Sequence, residues 1–109
     1  MNPPLSQDPV IADFLHGIQT VRSRIRRMIM FGSRARGDHK LDSDYDILIV
    51  VEKKDGSLRD ILYEAVMDVL LAHGRLVSLK IYEDCEFLRL QALQTPFMKH
   101  VTEDGIVLG

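Results

Sequence analysis

The sequence predicts an α/β (α+β) domain, a small mixed β-sheet flanked by helices, and three observations carry that prediction. Met28 to Phe31 is a continuous apolar run that stops at Gly32, and Ile47 to Val51 is a second one, led in by Asp44-Tyr45-Asp46. Between 57 and 74 apolar residues recur at helical spacing, and between 75 and 82 they alternate. Short unbroken apolar runs bounded by turn residues read as strands buried on both faces, and alternation reads as a strand with two unlike faces.

The elements follow in order. Residues 1–8 are a loose lead-in with two prolines, and Asp8-Pro9 then reads as an N-cap and first helical position. Val10, Ile11, Phe14, Leu15, Ile18 and Val21 give an amphipathic helix over about 9–21. Gly17 inside it costs ~1 kcal/mol relative to Ala, so packing must hold this helix. Arg22, Arg24, Arg26 and Arg27 follow, readable as a solvated helix end or as a contact for phosphate or an acidic partner. The first strand, 28–31, is expected to be central in the sheet. A turn, a short helix and a loop occupy 32–43, and the second strand 44–51.

After the charged turn EKKDG, Ser57 to Asp60 resembles a capping box with Asp in place of Glu. Leu58, Ile61, Leu62, Ala65, Val66, Val69 and Leu70 then form the core stripe of a helix that Gly74 ends. In the third strand Val77, Leu79 and Ile81 take one face, and Leu76, Ser78, Lys80 and Tyr82 the other. Asp84 is expected to cap a helix to about Gln94, and Thr95-Pro96 to open another that Gly105 stops. Ile106 to Leu108 finish as a short extended piece.

With 109 residues the chain is expected to be one domain, 1–109. A net charge of −2 offers no general attraction to a polyanion and argues against nucleic acid as the main substrate. A single cysteine, Cys85, excludes an internal disulfide and a cysteine-based zinc site and fits a reducing cytoplasm. No apolar run approaches the ~20 residues of a membrane span, and the N-terminus does not read as a signal peptide. The expected location is cytoplasmic.

The chemistry concentrates in FGSRARGDHKLDSDYDILIVV, residues 31–51. Gly32 closes a strand and lets the backbone approach a ligand without a Cβ in the way. Ser33 and the following amides open a helical turn whose N–H groups favour phosphate. Asp44 and Asp46 are two apart on a strand and project from one face, where they repel each other until a divalent cation relieves them. Both must serve one site with Gly32, so the first two strands should run antiparallel. The helical crossover makes the second and third strands parallel. Carboxylate oxygens suit magnesium or manganese and not zinc.

Gly32-Ser33, ten residues, then Asp44-Tyr45-Asp46, with Arg34-Ala35-Arg36-Gly37 and Ser43 between, resembles the nucleotidyltransferase superfamily related to DNA polymerase beta. The likeness is closest to its minimal, single-domain members, which often pair with a HEPN-domain partner as antitoxin and toxin. The resemblance implies a polymerase beta-like fold and a metal-dependent transfer of a nucleoside monophosphate, AMP from ATP, to a hydroxyl. Asp44 and Asp46 would hold Mg2+ or Mn2+. Gly32, Ser33, Arg34, Arg36 and Ser43 would hold the nucleotide, with Lys40 adding charge and His39 close by in the loop. His16, His73 and His100 have no ligand-spaced partner and read as surface or helix-end residues.

Active relatives usually carry a third carboxylate near the start of the third strand. Here that position matches Ser78, with Lys80 next on the face, and neither is a carboxylate. Two functions are therefore expected. One is an enzyme that modifies a tyrosine of a HEPN toxin and so acts as its antitoxin. The alternative is a catalytically impaired module of the same fold that neutralises or regulates a partner protein by contact.

Overall fold

The computed structural model describes residues 8–37 and 43–108. Its elements are α1 (Pro9–Gly17), a 3-10 turn (Gln19–Arg24), β1 (Ile25–Phe31), α2 (Ser33–Arg36), β2 (Tyr45–Val51), α3 (Gly56–His73), β3 (Val77–Glu83), α4 (Asp84–Leu93), α5 (Pro96–Asp104) and β4 (Ile106–Val107). They form one four-stranded mixed sheet in the order β3-β2-β1-β4. β1 pairs antiparallel with β2 and with β4, and β2 pairs parallel with β3. The expected strand directions, and the central place of β1, are all present.

β2 explains why its sequence is apolar without a break. Ile47, Ile49 and Val51 pack with Phe14, Ile18, Leu62 and Val66 under α1 and α3. Leu48 and Val50 face the other way, onto Phe87, Met98 and Val101 of α4 and α5. A strand covered on both faces has no solvent side to make polar. The sheet is thus the middle of three layers.

Local chemistry shifts several expected boundaries. α1 stops at Gly17 and not near Val21, and the chain tightens into the 3-10 turn. A Cβ built on Gly17 would stand 3.0 Å from the Ala65 Cβ, so the glycine lets α1 and α3 approach closely. The α3 cap is Asp55 and not Ser57: its carboxylate accepts from the Leu58 amide at 2.8 Å. Glu83 precedes α4 and shares a reciprocal capping box with Glu86, one residue ahead of the expected Asp84. Asp8, Thr95, Gly74 and Gly105 act where the sequence placed them.

Three of the arginines after α1 take partners within the domain. Arg24 pairs with Asp55, Arg26 lies 3.3 Å from Asp84, and the Arg27 guanidinium sits 5.7 Å from the Phe87 ring centroid. They tie the N-terminal end of β1 to neighbouring helices, far from Gly32. His73 holds α3 to α1 through Asp13, at 2.6 Å. No helix among the described residues is long and apolar enough to cross a membrane.

Candidate active site

Three strand ends meet at one edge of the sheet. Antiparallel pairing sets Phe31, the last residue of β1, against Asp46 in β2. Parallel pairing sets Asp46 against Ser78 in β3, and Leu48 against Lys80. Phe31, Asp46 and Ser78 therefore form a row across the sheet, on the face that further along carries Leu48 and Val50. Phe97, from the first turn of α5, closes one border by an edge-on contact with Phe31, ring centroids 5.3 Å apart.

Gly32 follows Phe31 with φ 78°, in the region that favours glycine. A Cβ there would lie 2.5 Å from Asp46 Oδ2. The turn can thus pass directly over the carboxylate only because residue 32 has no side chain. α2 begins at the next residue; the amides of Ala35 and Arg36 both bond the Gly32 carbonyl, which leaves the Ser33 amide ahead of the helical ladder. Gly37, φ 84°, ends this single turn.

Asp46 is half-buried and Asp44 exposed. Burial pushes the Asp46 carboxyl above its ordinary range, and the Asp44 charge pushes it further, while Lys80 opposes both. Lys80 is solvent-exposed but its charge reaches the site. Two carboxylates on one face, with the Cβ-less backbone of Gly32 beside Asp46, have the donor chemistry for a hard cation. Magnesium or manganese fits these residues. Among the described residues no group of three His, Cys, Asp or Glu could hold a metal.

Gly32, Ser33, Asp44 and Asp46 are thus brought to one sheet edge. Arg34 links the turn to the start of β2. Its Nε donates to the Ser43 carbonyl at 3.1 Å, and its guanidinium lies 4.1 Å from the Tyr45 ring centroid. Tyr45 belongs to the α1/α3 face, away from the carboxylates. Arg34 thereby joins α2 to the residue two before β2. Arg36 is exposed on the last position of α2. His39 and Lys40 lie outside the described residues.

Tyr45 is the residue that sequence reasoning passed over. It is buried, and its hydroxyl donates to Asp8 Oδ2 at 2.8 Å while Asp8 Oδ1 caps α1. Burial first, then the hydrogen bond and charge of Asp8, raise its phenol to about 12, against the opposing charges of Arg34 and Arg75. The signal was the alternation itself: a strand residue between two outward carboxylates must face the core, and a buried tyrosine needs a partner for its hydroxyl.

The polymerase beta nucleotidyltransferase domain family matches residues 15–109. A protein of Methanocaldococcus jannaschii, provisionally named a protein adenylyltransferase, is 31% identical over 109 residues, covering 95% of this chain and 99% of its own. A second M. jannaschii protein of the same provisional name is 42% identical over 45 residues, 40% of this chain and 46% of its own. Among solved structures, a toxin–antitoxin complex with AMP-PNP aligns at TM-score 0.56 and 17% identity, covering 90% of this chain and 71% of that one. A mutant MntA-HpeT toxin–antitoxin aligns at 0.55 and 15%, with the same coverages. These last two share the fold; Gly32, Asp44 and Asp46 fall inside residues 15–109, the span of the family match. The chain belongs to the polymerase beta nucleotidyltransferase family.

Proposed function

We propose that this protein is a magnesium-dependent nucleotidyltransferase that transfers AMP from ATP to a hydroxyl, a tyrosine of a HEPN-type partner toxin, and thereby acts as the antitoxin. The observation that carries the reading is the placement of the Asp46 carboxylate directly beneath Cβ-less Gly32 and beside Asp44. The relative named as a protein adenylyltransferase, which this chain matches along nearly its whole length, supports a protein as acceptor. The toxin–antitoxin neighbours support the kind of partner.

Nucleotidyl transfer is an in-line displacement. The acceptor oxygen forms a bond to the α-phosphorus, the bond to the bridging oxygen breaks, and pyrophosphate leaves with the electron pair. The acceptor's proton passes to solvent base. Asp44 and Asp46 would hold the cation, and Mg2+ or Mn2+ bound there would supply charge neutralisation and polarisation of the phosphate oxygens. The open backbone at Gly32 and the amide and hydroxyl of Ser33 receive the β- and γ-phosphates, and Arg36 adds charge for the leaving pyrophosphate. Arg34 and Ser43, joined through the Ser43 carbonyl, complete the nucleotide-binding set. What the protein contributes is position and a fixed field, the two things this reaction needs most.

One observation favours the alternative, a module that neutralises its partner by contact: Ser78, and not a carboxylate, stands beside Asp46. An Asp44→Asn/Asp46→Asn chain separates the two. As an enzyme it should still bind the partner yet fail to protect cells from it. Protection equal to wild type would mean that catalysis is not how the protein works.

A further inference from the structure

The order of the strands limits the side from which an acceptor can approach. Gly32 and Ser33, at the end of β1, lie on one side of the β2 carboxylates, and β3 lies on the other. In an in-line displacement the attacking and leaving oxygens stand on opposite sides of the phosphorus. With the β- and γ-phosphates at Gly32 and Ser33, pyrophosphate leaves toward β1 and the acceptor oxygen enters over β3. β3 ends the sheet on that side, so its flank is open to a second molecule.

The start of β3 shows what an acceptor meets there. Tyr45 pairs with Val77, and the Tyr45 amide donates to the Leu76 carbonyl at 2.9 Å. The same register carried one residue back sets Leu76 beside Asp44, as Ser78 stands beside Asp46. Alternation puts Leu76 and Ser78 on one face, while Val77 between them is buried in the α1/α3 core. Leu76 is 43% exposed, an apolar side chain that the fold leaves half uncovered. A single exposed leucine is ordinary on a protein surface. This one stands beside Asp44, on the flank that in-line attack requires.

We propose that Leu76 is a contact for the acceptor: the ring of the acceptor tyrosine packs on it, and the phenolic oxygen passes over Ser78 to the α-phosphorus. The inference rests on the nucleotidyltransferase reading and names the surface that receives its acceptor. A tyrosine has an apolar ring and a polar tip, so a leucine can hold the ring while the oxygen stays free to react. That oxygen bonds to the α-phosphorus, and the bond to the bridging oxygen breaks with its electron pair going to pyrophosphate. The phenolic proton passes to solvent base. A serine or threonine has no ring to lay on Leu76, and a sugar hydroxyl finds no hydrogen-bond partner in it. Leu76 thus favours an aryl hydroxyl.

The test is AMP transfer from ATP with Mg2+ to the protein encoded beside this one, at varied acceptor concentration. Leu76→Ser should lower kcat/KM for the acceptor by about 10- to 10²-fold, the scale of a lost apolar contact, and leave KM for ATP as in wild type. Leu76→Asn, nearer leucine in size, should do the same, and Leu76→Met should keep most of the rate. Val107→Ser removes a side chain that is 71% exposed on the opposite edge of the sheet and should change neither constant. Equal binding of α,β-methylene-ATP by wild type and Leu76→Ser shows the variant to be folded.

Acceptor kinetics of Leu76→Ser equal to wild type would overturn the proposal, as would a loss that Val107→Ser shares. A loss confined to KM for ATP would also overturn it, since Leu76 would then serve the nucleotide. Absence of transfer by wild type would instead sink the nucleotidyltransferase reading, so the two failures are distinguishable.

Discussion

Gly32 and Asp46 are adjacent across the β1–β2 pair so closely that a methyl group on the first would collide with the carboxylate of the second, 2.5 Å from Oδ2. The collision is with the end of a side chain, so Asp46 would turn aside and the sheet would survive. Gly32→Ala should therefore lose transfer by about 10²-fold or more, the scale of a displaced catalytic group. Its stability cost should be about 1–2 kcal/mol, from the positive φ. Parallel urea melts and transfer assays measure both. A variant that loses most of its stability together with its activity would show that the glycine serves the fold.

Asp46→Asn should raise the thermal midpoint of the protein while abolishing transfer. The Asp46 carboxyl titrates above its ordinary range, because its charge is disfavoured by burial and by Asp44. A carboxyl with raised pKa binds its proton more tightly folded than unfolded. It thus contributes stability at acid pH that is lost as pH rises through the carboxylate range. Calorimetry should find the variant more stable near neutrality, with the difference closing below about pH 3. Added Mg2+ should stabilise wild type and leave the variant unmoved.

Tyr45 makes a prediction at the other end of the pH scale. Its phenol is raised from 10.0 to about 12, so the neutral form is favoured by folding. That stability is complete below pH 10.0 and is lost as pH rises toward about 12. Tyr45→Phe removes the donor to Asp8 and should cost about 1 kcal/mol at neutral pH. Stability measured against pH should lose the alkaline slope that the wild type has in excess of the variant.

Asp55 behaves in the opposite sense. The Leu58 amide first, then Ser57 and Arg24, hold its carboxyl down at about 2. Its contribution is present above the ordinary carboxylate range and fades as pH falls toward about 2. Asp55→Ala should lower the urea midpoint at neutral pH and lose its effect in acid, with the start of α3 exchanging amide hydrogens fastest.

Much of this was written in local sequence. The apolar run at 28–31 named a central strand and 44–51 a second one, and the need for Gly32 and the aspartates to share a site fixed their antiparallel pairing. The single-helix crossover fixed β2 and β3 as parallel. What local pattern could not provide was the choice between neighbouring groups that offer the same chemistry. Asp55 and Ser57 can both cap α3, and only the path of the chain out of β2 decides for Asp55. Arg34 reads as a phosphate ligand beside Ser33, and its contacts with the Tyr45 ring and the Ser43 carbonyl come only from the folded strand.

The central claim is transfer of AMP to a partner's tyrosine through Asp44 and Asp46. The direct measurement is intact mass of the protein encoded beside this one after incubation with Mg2+, each nucleoside triphosphate in turn, and this chain. A gain of one or more AMP units with ATP, absent with Asp44→Asn/Asp46→Asn and mapped to a tyrosine, is the result expected. A stable complex with no mass gain from any nucleotide would contradict it and leave a module that acts by contact.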